Sequence, residues 1–253
     1  MKSNASRFFI RDLSHVRGVA GRLKMRMVSA ILLVTLSMCL TTAGQESTQA
    51  PVVRFAADIE KFLKADSLNP PPKHGILFIG SSIFRQWTQV KEHMAPLPAF
   101  NRAFGGSRTH EVLYYMDKIV LPYEPRIIVY YCGSNDIGGG VKPQVVLQNF
   151  TSFCEKAKAH LPGTKIFFVS INKSPSRMAR WGAMDSANAM IGAYCRSTPN
   201  LGFIDVNPVL FDAEGKPRME LYFDDKLHFK EHTYLEFTAV IRPVIEKAWN
   251  EMR

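Results

Sequence analysis

The chain has 253 residues, enough for one large domain with a substantial core, and its 46% hydrophobic and 21% charged content is that of an ordinary globular protein. Its net charge of +10 invites a nucleic-acid reading, but residues 1–44 hold seven basic residues and one acid and so carry +6 of it. The remaining +4 is spread without a Lys/Arg cluster, which excludes an electrostatic footprint for nucleic acid.

The first segment reads as a leader. Basic residues (Lys2, Arg7, Arg11, Arg17, Arg22, Lys24, Arg26) precede an uncharged stretch from Met27 to Gly44 with an apolar centre at 28–40. That length suits a signal-peptide core and falls short of the ~20 residues of a spanning helix. Thr41, Thr42, Ala43 and Gly44 offer a cleavage point before Gln45, with translation starting at Met25 or Met27 as one explanation of the long basic segment. The expectation is an exported protein, with an uncleaved membrane anchor through 27–44 as the alternative. Leu36-Ser-Met-Cys39 resembles a lipobox, although Met38 is large for one. Residues 45–51 are polar and read as a linker, so the folded domain is expected over 52–253.

Val52, Phe55, Ala56, Ile59, Phe62 and Leu63 recur at helical spacing, and Asn69-Pro-Pro-Pro72 ends that helix. Five apolar, β-prone runs follow at 75–79, 99–104, 126–132, 165–171 and 201–206. Helical patterns at 109–118, 143–160 and 178–196 lie between the later ones, and another closes the chain at 233–250. Such alternation implies βαβ units and a parallel sheet covered on both faces. The expected architecture is a three-layer α/β/α sandwich around a five-stranded parallel sheet.

Function collects at the carboxyl ends of such strands. The first run, Ile76-Leu-Phe-Ile-Gly80-Ser81-Ser82, ends in a glycine turn that delivers a hydroxyl there. Asn101-Arg-Ala-Phe-Gly105-Gly106-Ser107 follows the second run, and paired glycines let backbone N–H groups approach a ligand. Cys132-Gly133-Ser134-Asn135-Asp136 follows the third, where an Asn amide can meet an anionic oxygen. Before the last helix stands Asp224-Asp225-Lys226-Leu227-His228, an imidazole with two carboxylates within reach to orient it. Each stretch alone is a common turn. His74, His93, His110, His160 and His232 have no comparable setting.

Together and in this order the four stretches resemble the blocks of the SGNH (GDSL-type) esterase and lipase superfamily. Phe78-Ile-Gly80-Ser81-Ser82, Phe104-Gly105-Gly106-Ser107, Gly133-Ser134-Asn135-Asp136 and Asp225-Lys226-Leu227-His228 match its four motifs in turn. The resemblance spans about residues 73–250. It is nearest to a bacterial secreted group similar to the catalytic-subunit branch of platelet-activating-factor acetylhydrolase, which Lys173-Ser-Pro-Ser-Arg177 and Trp181 also resemble.

The resemblance implies a flavodoxin-like SGNH hydrolase fold, a Ser82–His228–Asp225 triad, and an oxyanion hole from the Ser82 and Gly106 N–H groups and the Asn135 amide. An exported esterase whose sequence shows no long apolar lid favours a short acyl group, such as acetyl on carbohydrate; a lysophospholipid or thioester is the alternative. No cofactor and no metal is expected, since no His/Cys/carboxylate cluster has ligand spacing.

The family's usual Gly-Asp-Ser departs here to Gly80-Ser81-Ser82, which leaves Ser81 as the rival nucleophile and a non-catalytic carbohydrate- or surface-binding relative as the rival of another class. Phe84 stands where the α/β-hydrolase elbow has its second glycine, so that motif is absent. Asp224 is the rival orienting acid. Tyr130, Tyr131, Arg177 and Trp181 are candidate pocket residues, although aromatics on such strands and helices are more often core, and Gly138-Gly-Gly140 is a candidate mobile loop. Cys132 is expected to be a small buried hydrophobe, and a Cys154–Cys195 disulfide is open.

Overall fold

The structure, a computed structural model, describes residues 54–252. The leader (1–44) and linker (45–51) expected above lie outside the described residues. Among the described residues no helix is long and apolar enough to cross a membrane.

Helix α1 (Ala56–Leu68) leads into strand β1 (Ile76–Gly80), and two short helices, α2 (Ser82–Arg85) and α3 (Val90–His93), precede β2 (Ala99–Asn101). Helices α4 (Thr109–Tyr114) and α5 (Met116–Ile119) lead to β3 (Ile127–Tyr131), followed by α6 (Ser134–Gly138) and α7 (Pro143–His160). Strand β4 (Lys165–Val169), α8 (Trp181–Ser197), β5 (Leu201–Ile204) and α9 (Glu231–Asn250) complete the chain. The five strands form one sheet in the order β2-β1-β3-β4-β5, every pair parallel.

Apart from Asn101 and Lys165 at strand ends, the strands are apolar because both sheet faces are covered, and side chains alternate between two cores. Leu77, Ile79, Ile128, Tyr130, Ile166 and Phe168 face one core, shared with Ile59 of α1, Val146, Phe150 and Phe153 of α7 and Met184 and Ile191 of α8. Ile76, Phe78, Ile127, Val129, Tyr131, Phe167 and Val169 face the other, with Phe84 and Trp87. Phe237, Ile241, Ile245 and Trp249 on α9 recur every four residues and lay one stripe against that second face. Burying any one of these large side chains contributes roughly 1.5–3 kcal/mol.

The departures from expectation have local causes. The second strand stops at Asn101, whose side chain takes the Ala103 N–H (2.8 Å) and donates to the Phe84 carbonyl (2.6 Å), although the Arg102 N–H still bonds the Phe78 carbonyl of β1 (2.9 Å). The helix expected over 109–118 breaks at Tyr115 into two. The one expected over 178–196 is preceded by a 3₁₀ segment, Pro175–Arg180, with a non-helical Arg177. Cys132, Cys154 and Cys195 are all buried and free, so no Cys154–Cys195 disulfide forms.

Candidate active site

Strand order reverses between β1 and β3, and the crevice at their carboxyl ends is where an open α/β sheet receives ligands. The glycine at the end of β1 is obligatory. Gly80 has φ +142°, and a Cβ there would lie 1.7 Å from the Tyr131 carbonyl oxygen of β3. The turn it permits makes Ser82 the first residue of α2 and leaves its side chain only partly buried, whereas Ser81 is 1% exposed with its N–H bound to the Tyr131 carbonyl (3.0 Å).

The glycine pair after β2 is stitched to this turn. Both the Phe104 N–H (2.9 Å) and the Ser107 hydroxyl (3.0 Å) donate to the Gly80 carbonyl. Gly106, at φ +81°, adopts a left-handed conformation that side chains resist. Among the described residues no acceptor takes the N–H of Ser82 or of Gly106.

Asn135 sits in the first turn of α6, the short helix after β3. Its Nδ2 donates to the Ser107 carbonyl (3.0 Å) and its Oδ1 accepts from Arg177 Nη2 (2.9 Å). Beside it Asp136, 1% exposed, accepts from the Thr109 N–H (3.1 Å) and hydroxyl (2.7 Å). Those bonds tie α6 to the first turn of α4. Burial pushes the Asp136 carboxyl up, and the Thr109 hydrogen bonds offset only part of that.

The last contributor is a tight turn before α9. The Lys226 N–H bonds the Phe223 carbonyl (2.9 Å), Lys226 has φ +54°, and the Phe223 N–H closes the loop on the His228 carbonyl (2.9 Å). Inside it Asp225 Oδ1 accepts the backbone N–H groups of Leu227 and His228, both at 2.9 Å. Asp225 Oδ2 lies 2.6 Å from His228 Nδ1, and His228 Nε2 lies 2.9 Å from Ser82 Oγ. A carboxylate can only accept, so Nδ1 carries the proton and Nε2 presents its lone pair to the serine hydroxyl. Burial raises the Asp225 pKa, but the hydrogen bonds from the His228 and Leu227 N–H groups and the His228 ring outweigh it and hold the carboxyl below its ordinary value. Asp224 is exposed and, among the described residues, has no hydrogen bond or ion pair.

Ser82, Gly106, Asn135 and His228 thus line one open cavity of about 460 Å³, with Gly105, Asp58, Arg85, Gln86 and Leu227. A larger hollow of about 660 Å³, among Pro70, Pro98, Ala99 and Arg102, lies at the amino end of β2, away from the crevice. Among the described residues no group of His, Cys, Asp and Glu side chains is arranged to hold a metal ion.

The model of the GDSL-like lipase/acylhydrolase family matches residues 79–235, which runs from the end of β1 into α9 and takes in all four site segments. The chain belongs to that family. It is an ester hydrolase on the α/β fold that GDSL hydrolases share.

Solved GDSL-type structures are similar in fold. A GDSL-like lipase from Bacteroides thetaiotaomicron superposes with a TM-score of 0.65 at 21% identity, covering 76% of this chain and 98% of that one. A protein from Streptococcus pneumonia described as a platelet activating factor gives 0.68 at 19% identity, over 86% and 98%. An acetyl esterase holding an acetate ion gives 0.57 at 13%, over 70% and 99%. No curated protein matches the sequence.

Sequence reasoning missed Asp58, Arg85 and Gln86 as walls of the GDSL cleft, and three of its four pocket candidates lie elsewhere. Tyr130 and Tyr131 are fully buried in the two cores, one on each sheet face. Trp181 is tied back to the Ser174 carbonyl (2.8 Å) and packs against Phe211. Of the Gly138-Gly-Gly140 run, Gly138 and Gly139 lie under the Arg177 and Arg108 side chains. Arg177 alone of the four candidates contacts a residue of the cleft.

Proposed function

We propose that the chain is a serine esterase for small, polar carboxylic esters, with Ser82 as nucleophile, His228 as general base and Asp225 as its orienting acid. The observation that carries this reading is the relay of two contacts, 2.9 Å from Ser82 Oγ to His228 Nε2 and 2.6 Å from His228 Nδ1 to Asp225. His228 takes the hydroxyl proton as Oγ bonds to the ester carbonyl carbon, and the imidazolium, held by Asp225, then gives that proton to the leaving alcohol. Water repeats the sequence on the acyl-enzyme and frees the acid. The developing oxyanion is met by the N–H groups of Ser82 and Gly106, which have no acceptor among the described residues, and by the Asn135 amide, preorganised donors of the kind worth about 10²–10³ in turnover each. No cofactor enters the scheme.

Substrate class follows from the walls of the cleft. Asp58, Arg85, Gln86 and Asn135 are polar and Leu227 is the sole large apolar side chain lining it among the described residues, a poor surface for a long acyl chain. A short acyl group on a hydrophilic alcohol, such as acetyl on carbohydrate, fits it. In this reading residues 1–44 direct export and are removed, which the mass of the mature protein tests. Initial rates on p-nitrophenyl esters of increasing chain length, beside acetylated sugars, test the substrate. We expect kcat/KM to be highest for acetyl and to fall with length; a rise toward long chains would assign a lipolytic enzyme instead.

A further inference from the structure

Arg177 lies between α6 and the turn that carries His228. Its guanidinium is partly buried and makes three bonds, all to consecutive residues of α6: Nη1 donates to the Ser134 carbonyl and to the Ser134 hydroxyl, and Nη2 donates to Asn135 Oδ1 at 2.9 Å. The 3₁₀ segment that bears it is fastened at both sides. The Ser176 N–H bonds the Lys226 carbonyl (3.1 Å) in the Asp225–His228 turn, and the Arg177 N–H bonds the Ser174 carbonyl (3.0 Å). The fold also makes room for the guanidinium. A Cβ on Gly138 would come within 2.9 Å of its Cζ and Nε, although Gly138 has an ordinary φ that any residue adopts.

An Asn amide has two faces of opposite character, and only one of them helps a developing anion. Arg177 has donors alone and the Ser107 carbonyl accepts alone, so Asn135 is satisfied in one orientation: Oδ1 toward Arg177, Nδ2 toward Ser107 at 3.0 Å. Flipping the amide would set donor against donor and acceptor against acceptor. With one N–H of Nδ2 given to Ser107, the second remains for the cavity that Asn135 lines with Ser82, Gly106 and His228. A cation on the amide oxygen also polarises the group and strengthens its N–H as a donor.

We infer that Arg177 is a positioning residue of the oxyanion pocket, holding the Asn135 amide with its nitrogen toward the reacting ester. The inference rests on Asn135 acting as an oxyanion donor. Arg177 touches no reacting atom. It acts through Asn135, and that makes it separable from a residue that merely props up the fold.

The test is a double-mutant cycle on p-nitrophenyl acetate hydrolysis by the full chain, with Arg177→Met, Asn135→Ala and both together. Asn135→Ala is expected to lower kcat by about 10²–10³-fold. Arg177→Met is expected to lower it by about 10–10²-fold with KM within about threefold, as a misplaced but present donor does. In the Asn135→Ala background the same change should cost less than about twofold, because the group it orients is gone. Gly138→Ala, which crowds the guanidinium without removing it, is the gentler second variant and should lower kcat with wild-type thermal stability. Losses that multiply fully in the double mutant, an unchanged kcat in both Arg177→Met and Gly138→Ala, or a loss confined to KM would overturn the inference while leaving the Asn135 assignment standing. Full activity in Asn135→Ala would overturn both.

Discussion

His228 Nε2 stands 2.9 Å from the Oγ of Ser82, a residue 146 positions earlier in the chain, and the neighbouring Ser81 is turned into the protein with 1% exposure. The two serines are adjacent and chemically identical, so the fold alone distinguishes them. Ser82→Ala is expected to reduce kcat by about 10⁴-fold or more. Ser81→Ala should retain more than about a tenth of the activity, since Ser81 makes no side-chain cap bond to α2. Steady-state kinetics on a short-chain ester reads both.

Asp225 binds the imidazole with one oxygen and two backbone N–H groups with the other. Asp225→Asn keeps the size of the side chain and allows the imidazole its wrong tautomer, so kcat should fall by about 10³–10⁴-fold with little change in KM. Asp224→Asn, four residues from His228 and without a bond among the described residues, should fall less than about threefold. An equal loss in the two variants would contradict the assignment of the orienting acid.

The legibility of this architecture in the sequence varied with how local its causes are. Runs such as Ile127–Tyr131 and, after its leading lysine, Lys165–Val169 are apolar because both faces are covered, and turn residues bound them, so five parallel strands could be read directly. Gly80, Gly106 and Gly133 mark the carboxyl ends of strands for a backbone reason, a positive φ or a close approach, and so the site loops were legible too. What the sequence hid is set by tertiary contact. Nothing near Asn101 announces that its side chain will take the Ala103 N–H and end β2, and Ser134–Gly138 is too short to show a helical period. Tyr130 and Tyr131 were ambiguous for a related reason, since an aromatic pair at the end of a strand reads alike whether it faces core or cleft. Arg177 had one local signal, its place in Lys173-Ser-Pro-Ser-Arg177, but its partners Ser134 and Asn135 lie more than forty positions away.

Asp136 gives a pH signature. Its carboxyl is raised above its ordinary value, burial being the main cause and the Thr109 bonds a partial offset. An acid with a higher pKa folded than unfolded holds its proton more tightly when folded, so its ionisation costs stability as pH rises from the ordinary Asp value of ~3.9 through the raised one. Asp136→Asn cannot ionise. The stability of wild type relative to Asp136→Asn should therefore decline as pH rises from about 3.9 toward neutrality. Denaturant unfolding at a series of pH values measures the gap; a gap that widens in favour of wild type over that range would contradict the account.

The reactive serine itself can be named by one measurement. A small organophosphonate ester forms a stable adduct on a serine that an imidazole has activated beside an oxyanion pocket. After inactivation of the full chain, digestion and mass spectrometry should place a single adduct on Ser82, with none on Ser81, and His228→Ala should abolish the labelling. An adduct on Ser81 or on a serine elsewhere, or unimpaired hydrolysis by protein fully labelled at Ser82, would contradict the relay from Asp225 through His228 to Ser82.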